Sequence, residues 1–279
     1  MSSINPSAVS GSLRKLVSQP AEQVDYWLPL GDQQVYLNDY LGKPVRLSFG
    51  GEINCIACGR RTSKSFSQGH CYPCFTGKAA CDMCIMKPEL CHYHVGTCRE
   101  PEWGEAFCFQ PHIVYLANTT GPKVGITRKS QLPTRWIDQG AVAALPVWEV
   151  ASRHISGQIE VALAEFIADK SSWQRLLKGE PEPVDLIALR DQSRQWSAEV
   201  VARIRAEKGD EAVREINGDG FDFSFPVQRY PEKVKSFNFD KQPTVEGTLM
   251  GIKGQYLLLD GGVINIRKFG GYKVEFSGG

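Results

Sequence analysis

Residues 112–128 read HIVYLANTTGPKVGITR. IVYLA is rich in β-branched and aromatic residues, NTTGP is built of turn formers, and KVGIT resumes the apolar pattern, which together predict a β-hairpin. PTRWIDQGAVAAL (133–145) follows, with Pro133 suited to a first helical turn and Gly140 to a helix end. PVWEVAS (146–152) predicts a third strand. SGQIEVALAEFIADK (156–170) predicts a helix with Ile159, Leu163, Phe166 and Ile167 on one apolar face. LIALRDQSRQWSAEVVARIRAEKGD (186–210) predicts a second, charge-laced helix. The order β-β-α-β-α describes a compact α/β core with trailing helices over residues 111–215.

Outward from this core the period is two. VYLNDYLGKPVRLSF (35–49) holds short strands round a Gly-Lys-Pro turn, with Val45, Leu47 and Phe49 alternating as in a half-buried strand. Beyond Phe221, VEGTLMGIKGQYLLLDGGVINIRKFGGYKVEF (245–276) predicts three or four strands separated by glycine-rich turns. A lone meander of this size is marginal. The C-terminal strands (220–279) are therefore expected to pair with N-terminal ones (1–54) in one small β-domain. The fold class expected is α+β.

The chain has 279 residues, long enough for about two domains. Thirty-two Lys and Arg against thirty-one Asp and Glu give a net charge of +1, which excludes a strongly basic nucleic-acid sponge but not a local basic face. No apolar run approaches the roughly 18 residues of a membrane span. The opening MSSINPSAVSGSLRK lacks a charged-then-apolar signal pattern, so a cytoplasmic location is expected.

All nine cysteines fall between Cys55 and Cys108. Such clustering in a reducing compartment argues for metal rather than disulfides, and the odd total leaves at least one thiol unpaired in any disulfide scheme. The segment 55–110 has little helical or strand period, so it needs metal to fold. Cys55-Ile-Ala-Cys58 and Cys71-Tyr-Pro-Cys74 form two CxxC turns twelve residues apart, the spacing of a closed tetrahedral zinc site in a zinc ribbon. Four thiolates leave no open position for catalysis. A second set comprises Cys81, Cys84, Cys91, His92, His94, Cys98 and Cys108, from which a second zinc is expected. Cys81-Asp-Met-Cys84 has the spacing of one knuckle, and Cys91-His-Tyr-His94 can act as another. Ordinary hydrogen bonding is expected of His92 and His112.

Tyr115 in IVYLA, Gly125 in KVGIT, Arg135 in PTRW and Glu160 in QIEVAL are spaced as in the GIY-YIG nuclease core, a resemblance covering residues 112–170. It implies that Tyr115 acts near the attacking water, Arg135 contacts the scissile phosphate, and Glu160 holds one Mg²⁺ or Mn²⁺. The second motif here is Val124-Gly125-Ile126, without the tyrosine that opens it in that family, and the family's late asparagine is not placed. Phosphodiester cleavage does require a cation against developing charge, a Lewis acid and a group that orients water. The motifs GHCYPCF, KPELCHYH, VYLANTTGPKVGITR, PTRWIDQGA and GIKGQYLLLDGGVINIRKFGGY also resemble, over nearly the whole chain, a bacterial family known as domain of unknown function 2797. That resemblance implies a cytoplasmic zinc protein with a GIY-YIG-like centre and no known reaction. KPELCHYH and a cysteine like Cys108 recur in it, which makes Cys84, Cys91, His94 and Cys108 the preferred second ligand set, with Cys81 in reserve.

RNA or DNA is the expected partner. Arg60, Arg61 and Lys64 lie between the two CxxC turns, and Lys123, Arg128 and Lys129 lie beside the expected cleft. The two function classes are a divalent-metal-dependent nuclease and a non-catalytic, zinc-stabilised RNA-, DNA- or protein-interaction module.

Overall fold

The computed structural model describes residues 8–279, so residues 1–7 of the polar opening lie outside the described part. The chain begins with β1 (Val9–Ser12), β2 (Val17–Gln19), β3 (Asp25–Leu30), β4 (Gln33–Tyr36) and the long β5 (Pro44–Asn54). The cysteine segment follows with β6 (Arg61–Thr62), α1 (Tyr72–Gly77), α2 (Met83–Met86) and α3 (Pro101–Cys108). Then come β7 (His112–Asn118), β8 (Pro122–Arg128), α4 (Thr134–Asp138), β9 (Ala143–Val150), α5 (Arg153–Leu163), α6 (Trp173–Leu176), α7 (Leu186–Trp196) and α8 (Ala198–Lys208). The last strands are β10 (Val213–Glu215), β11 (Phe221–Asp222), β12 (Thr244–Lys253), β13 (Tyr256–Leu259), β14 (Gly262–Asn265) and β15 (Tyr272–Gly278). This is a mixed α+β fold with several sheets.

The central sheet runs β10-β9-β7-β8, with β11 pairing β9. Side-chain alternation sorts β7 into two cores. Ile113, Tyr115 and Ala117 join Trp136 and Ile137 and the apolar residues of the terminal strands. Val114 and Leu116, with Val124 and Ile126 of β8, pack on Ile155, Ile159 and Leu163 of α5 and Val201 and Ile204 of α8. Both faces of the sheet are thus covered, which is why β7 reads as an unbroken buried run rather than an alternating one. Trp136, almost fully buried, touches Tyr115 edge-on with ring centroids 5.8 Å apart. Truncating such a side chain costs about 3–5 kcal/mol.

A second sheet has the order β1-β15-β5-β12-β13-β14, so strands from both ends of the chain interleave. Leu47 sits opposite Phe276 on one side and Val245 on the other. A third sheet, β2-β3-β4, packs its Tyr26 and Leu28 into the same core. Among the described residues no helix is long and apolar enough to cross a membrane.

The helix after Pro133 ends, as the sequence suggests, where Gly140 turns left-handed (φ +70°), and Ala143–Leu145 then pair with β7. Other local expectations are revised. Pro146 within β9 lacks an N–H, and the β7–β9 register shifts where it faces Tyr115. The long charged helix is two helices: the Ser197 hydroxyl donates to the Ser193 carbonyl and accepts from the Trp148 indole, and the chain breaks there. Phe166 lies beyond α5 and stays exposed, stacked on Trp196 with ring centroids 4.9 Å apart. β1 and β2 fall in the polar opening, VSGS and VSQ being short and polar, and β3 precedes the stretch 35–49 that carries the N-terminal strand pattern.

Candidate functional site

The ligand atoms of Cys55, Cys58, Cys71 and Cys74 all lie within 4.8 Å of one another. β5 and β6 form the arms of the first turn, and Cys71 caps α1, which carries Cys74. Gly59 supplies the positive φ (+72°) that closes the first turn, its N–H donating to the Cys55 carbonyl at 2.9 Å. The Cys71 N–H donates to the Cys55 sulfur at 3.2 Å. Burial opposes ionisation of Cys55, but backbone N–H groups of Cys71, Cys58 and Ala57 outweigh it and bring that thiol down to about 6. Burial, then hydrogen bonds from Cys58, Cys71 and Cys55, push Cys74 up to about 12. Four sulfurs held this close favour one anion among themselves and a dication for the rest, and this cluster could bind a zinc ion.

The second cysteine set is arranged differently from the preferred ligand set. Cys84, Cys91, Cys98 and Cys108 line one small cavity, with Asp82 and His92 at its wall. His94 is not among these residues; its ring stacks on that of His154, 6.4 Å between centroids. His92 is held by the Thr97 hydroxyl at 2.7 Å and faces the Asp82 carboxylate at 3.4 Å, the hydrogen-bonding role expected of it. His112, also expected only to hydrogen-bond, is buried with Nδ1 2.7 Å from the Gln110 carbonyl.

A cleft of about 470 Å³ opens between the cysteine segment, the β8 edge and the C-terminal sheet. Lys123, Gly125 and Thr127 of β8 form its floor, with Arg135 and Gln139 from the α4 turn and Arg153 and Glu160 from α5. Six cationic side chains (Lys123, Arg128, Arg135, Arg153, Lys170 and Arg267) surround the carboxylates Glu160 and Asp169. The balance is cationic although the whole chain is nearly neutral. Burial, chiefly, raises the Glu160 carboxyl to about 7; Lys123, Arg153 and Arg135 pull the other way and Asp169 adds to the rise. Burial and then the Arg135 charge lower the Lys123 ammonium below its ordinary value.

Tyr115 lies beneath this floor, fully buried, its hydroxyl donating to Gln139 Oε1 at 2.8 Å. Gly125 faces it across the hairpin, and a Cβ there would come within 2.7 Å of the tyrosine ring and hydroxyl. The glycine is thus required by close approach. Burial raises the Tyr115 hydroxyl above its ordinary value, so it stays protonated near neutral pH.

A family described as "Protein of unknown function (DUF2797)" has a model that matches residues 42–274. The chain belongs to this family. No curated protein and no solved structure matches it. The DUF2797 span takes in both cysteine clusters and every residue lining the cleft, and leaves out β1 to β4.

Of the candidate residues in this DUF2797 chain, Arg135, Glu160, Lys123 and Arg128 share the cleft, and Tyr115 lies under it. Arg128 rests over the Phe107 ring at 4.9 Å. Lys129 is turned to Glu149 at 2.7 Å and does not line the cleft. Arg60, Arg61 and Lys64 are exposed outside it, Lys64 lying 5.3 Å from the Phe66 ring centre, so the six basic residues do not make one lining. Arg153, Asp169, Lys170 and Arg267 were missed. Arg153 stands two helical turns before Glu160 on α5, a spacing that could have revealed it. Arg267 arrives from the 3-10 turn Ile266–Phe269 between β14 and β15 and carries no local signal.

Proposed function

We propose that this chain is a zinc-containing, nucleic-acid-binding protein with a GIY-YIG-like core, whose cleft seats a backbone phosphate for divalent-metal-dependent cleavage. The observation that carries this reading is the convergence of Arg135, Glu160 and Lys123 on one open cleft above the Tyr115–Gln139 hydrogen bond. The succession hairpin, helix, strand, helix from His112 to Leu163 supports the kinship of the core. A surplus of cations around two carboxylates selects a polyanion that can share a metal with one of them. Arg135 presents a planar fork that suits two phosphate oxygens, and Lys123 adds a point charge from the floor. Glu160 is the residue that would hold Mg²⁺ or Mn²⁺, and that ion, when bound, supplies Lewis-acid chemistry. Tyr115 is too deep to touch the substrate and acts as a positioning residue through Gln139. Nine thiols suit a reducing compartment, and we place the protein in the cytoplasm.

One observation favours a second reading, a non-catalytic interaction module. The Tyr115 hydroxyl is committed to Gln139, and Val124 occupies the position of the second tyrosine. A titration of labelled structured RNA and branched DNA at two salt concentrations, with and without Mn²⁺, separates the two. Binding that weakens with salt is expected, since each neutralised phosphate releases counterions. Metal-dependent cleavage is expected too, lost in Glu160→Gln while zinc content stays unchanged. Binding without cleavage moves the protein to the second reading. Absence of binding at low salt sinks the nucleic-acid reading altogether.

A further inference from the structure

The cavity walled by the later cysteines has a volume of about 20 Å³. That is space for a single small occupant. Its cysteines come from four separate turns: Cys84 in α2, Cys91 after the 3-10 turn Pro88–Leu90, Cys98 after the turn Tyr93–Val95, and Cys108 at the end of α3. Tyr93, Trp103, Gly104 and Phe109 close the remainder with mostly apolar surface.

A water molecule needs two to four good polar partners to stay in such a hole. The wall offers few. Thiols hydrogen-bond weakly. Asp82, the one carboxylate in the wall, already accepts from the Arg99 guanidinium at 2.8 Å and from the Met83 N–H at 2.6 Å. His92 is engaged by Thr97 at 2.7 Å. What the cavity does offer is four sulfurs, the donor set of a soft, tetrahedral dication.

We propose that Cys84, Cys91, Cys98 and Cys108 bind a second structural zinc ion. On binding, the four thiols release four protons and the sulfurs close round the metal at about 2.3 Å. The site explains how α2, α3 and the 3-10 turns between them stay together with almost no apolar core of their own: the metal staples four turns at one point. It replaces His94 of the expected ligand set by Cys98, and it leaves Cys81 out. Asp82, Cys84 and His92 have ligand atoms within 4.8 Å of one another, whereas Cys91, Cys98 and Cys108 do not all lie that close together, so the sulfurs draw in on binding and Asp82 and His92 are the residues that compete with them for the metal. The inference does not rest on the cleft reading, since zinc content and cleavage fail independently.

The test combines zinc content per chain with zinc-edge X-ray absorption on the full-length wild-type protein. Two zinc ions per chain and a shell of four sulfurs at about 2.3 Å, free of nitrogen, are expected. Cys98→Ser should fall to one zinc, His94→Ala should keep two, and Cys58→Ser should lose the other ion independently. One zinc in the wild type, a nitrogen in the shell, or two zinc ions retained in Cys98→Ser would overturn the proposal. Should Cys98→Ser fail to fold, the wild-type count and shell decide alone.

Discussion

From His112 to Asn118 every side chain of β7 is buried, whereas between residues 72 and 109 Tyr72, Met83, Met86, Leu90, Val95 and Phe109 each expose half or more of their surface. The two regions lie side by side and hold their shape by different means. β7 is fixed from both faces by apolar contacts, so its order is distributed over many small terms. The cysteine segment has as its one buried cluster Cys55, Cys71 and Cys74 among the described residues, and its order is concentrated in a few sulfurs. Distributed order tolerates conditions and resents mutation of shape. Concentrated order does the reverse.

The largest effect that can break this contrast is removal of metal. Stripping zinc with a chelator at neutral pH should abolish hydrogen-exchange protection across residues 55–108 while β7 to β9 keep theirs. Equal loss in both regions would make them one cooperative unit.

The complementary change is Gly125→Val. Its side chain would be driven into the Tyr115 ring, which sits 2.7 Å from the added Cβ position. A loss of about 3 kcal/mol is expected, at the upper end for overpacking, with zinc content unaltered. Urea unfolding with a parallel zinc assay reads both at once, and a fall in zinc would show that the hairpin also supports the cysteine segment.

The smallest effect comes from Glu160, at the seam between the regions. Its carboxyl is raised by burial to about 7, above the ordinary value of 4.5, so the folded chain binds this proton more tightly than the unfolded chain. Stability from this group is intact below the ordinary value and is lost as pH rises towards 7. The loss is on the order of 1–2 kcal/mol once screening in an open cleft is allowed for. Unfolding curves of wild type and Glu160→Gln between pH 4 and 8 should diverge in that direction; parallel curves would place the carboxyl in ordinary solvent.

Legibility in the sequence follows the same division. Two CxxC turns specify four converging sulfurs almost without reference to the rest of the chain, and the strand–turn–strand pattern of 112–128 is equally local. The cysteines round the second cavity are separated by six, six and nine residues, so only tertiary packing brings them together. His94, three residues after Cys91, turns its ring towards His154 of α5 and does not line that cavity. The packing that decides this is visible at Gly157 of α5, where a Cβ would meet Pro88 at 2.6 Å, and at Arg153, whose guanidinium donates to the Ile85 carbonyl at 2.6 Å. For the same reason the floor of the cleft was legible in β8 and its far wall at Arg267 was not.

The interleaving of terminal strands has a consequence for synthesis. β15 lies between β1 and β5, with Phe276 opposite both Val9 and Leu47. Apart from the two residues of β6, every partner of β1 and β5 in this sheet is made after residue 243. A nascent chain must therefore carry Val45 and Leu47 unpaired while about 190 residues are added, and can close the sheet only once β12 and β15 have left the ribosome. Loss of β15 would remove the strand that joins β1 to β5.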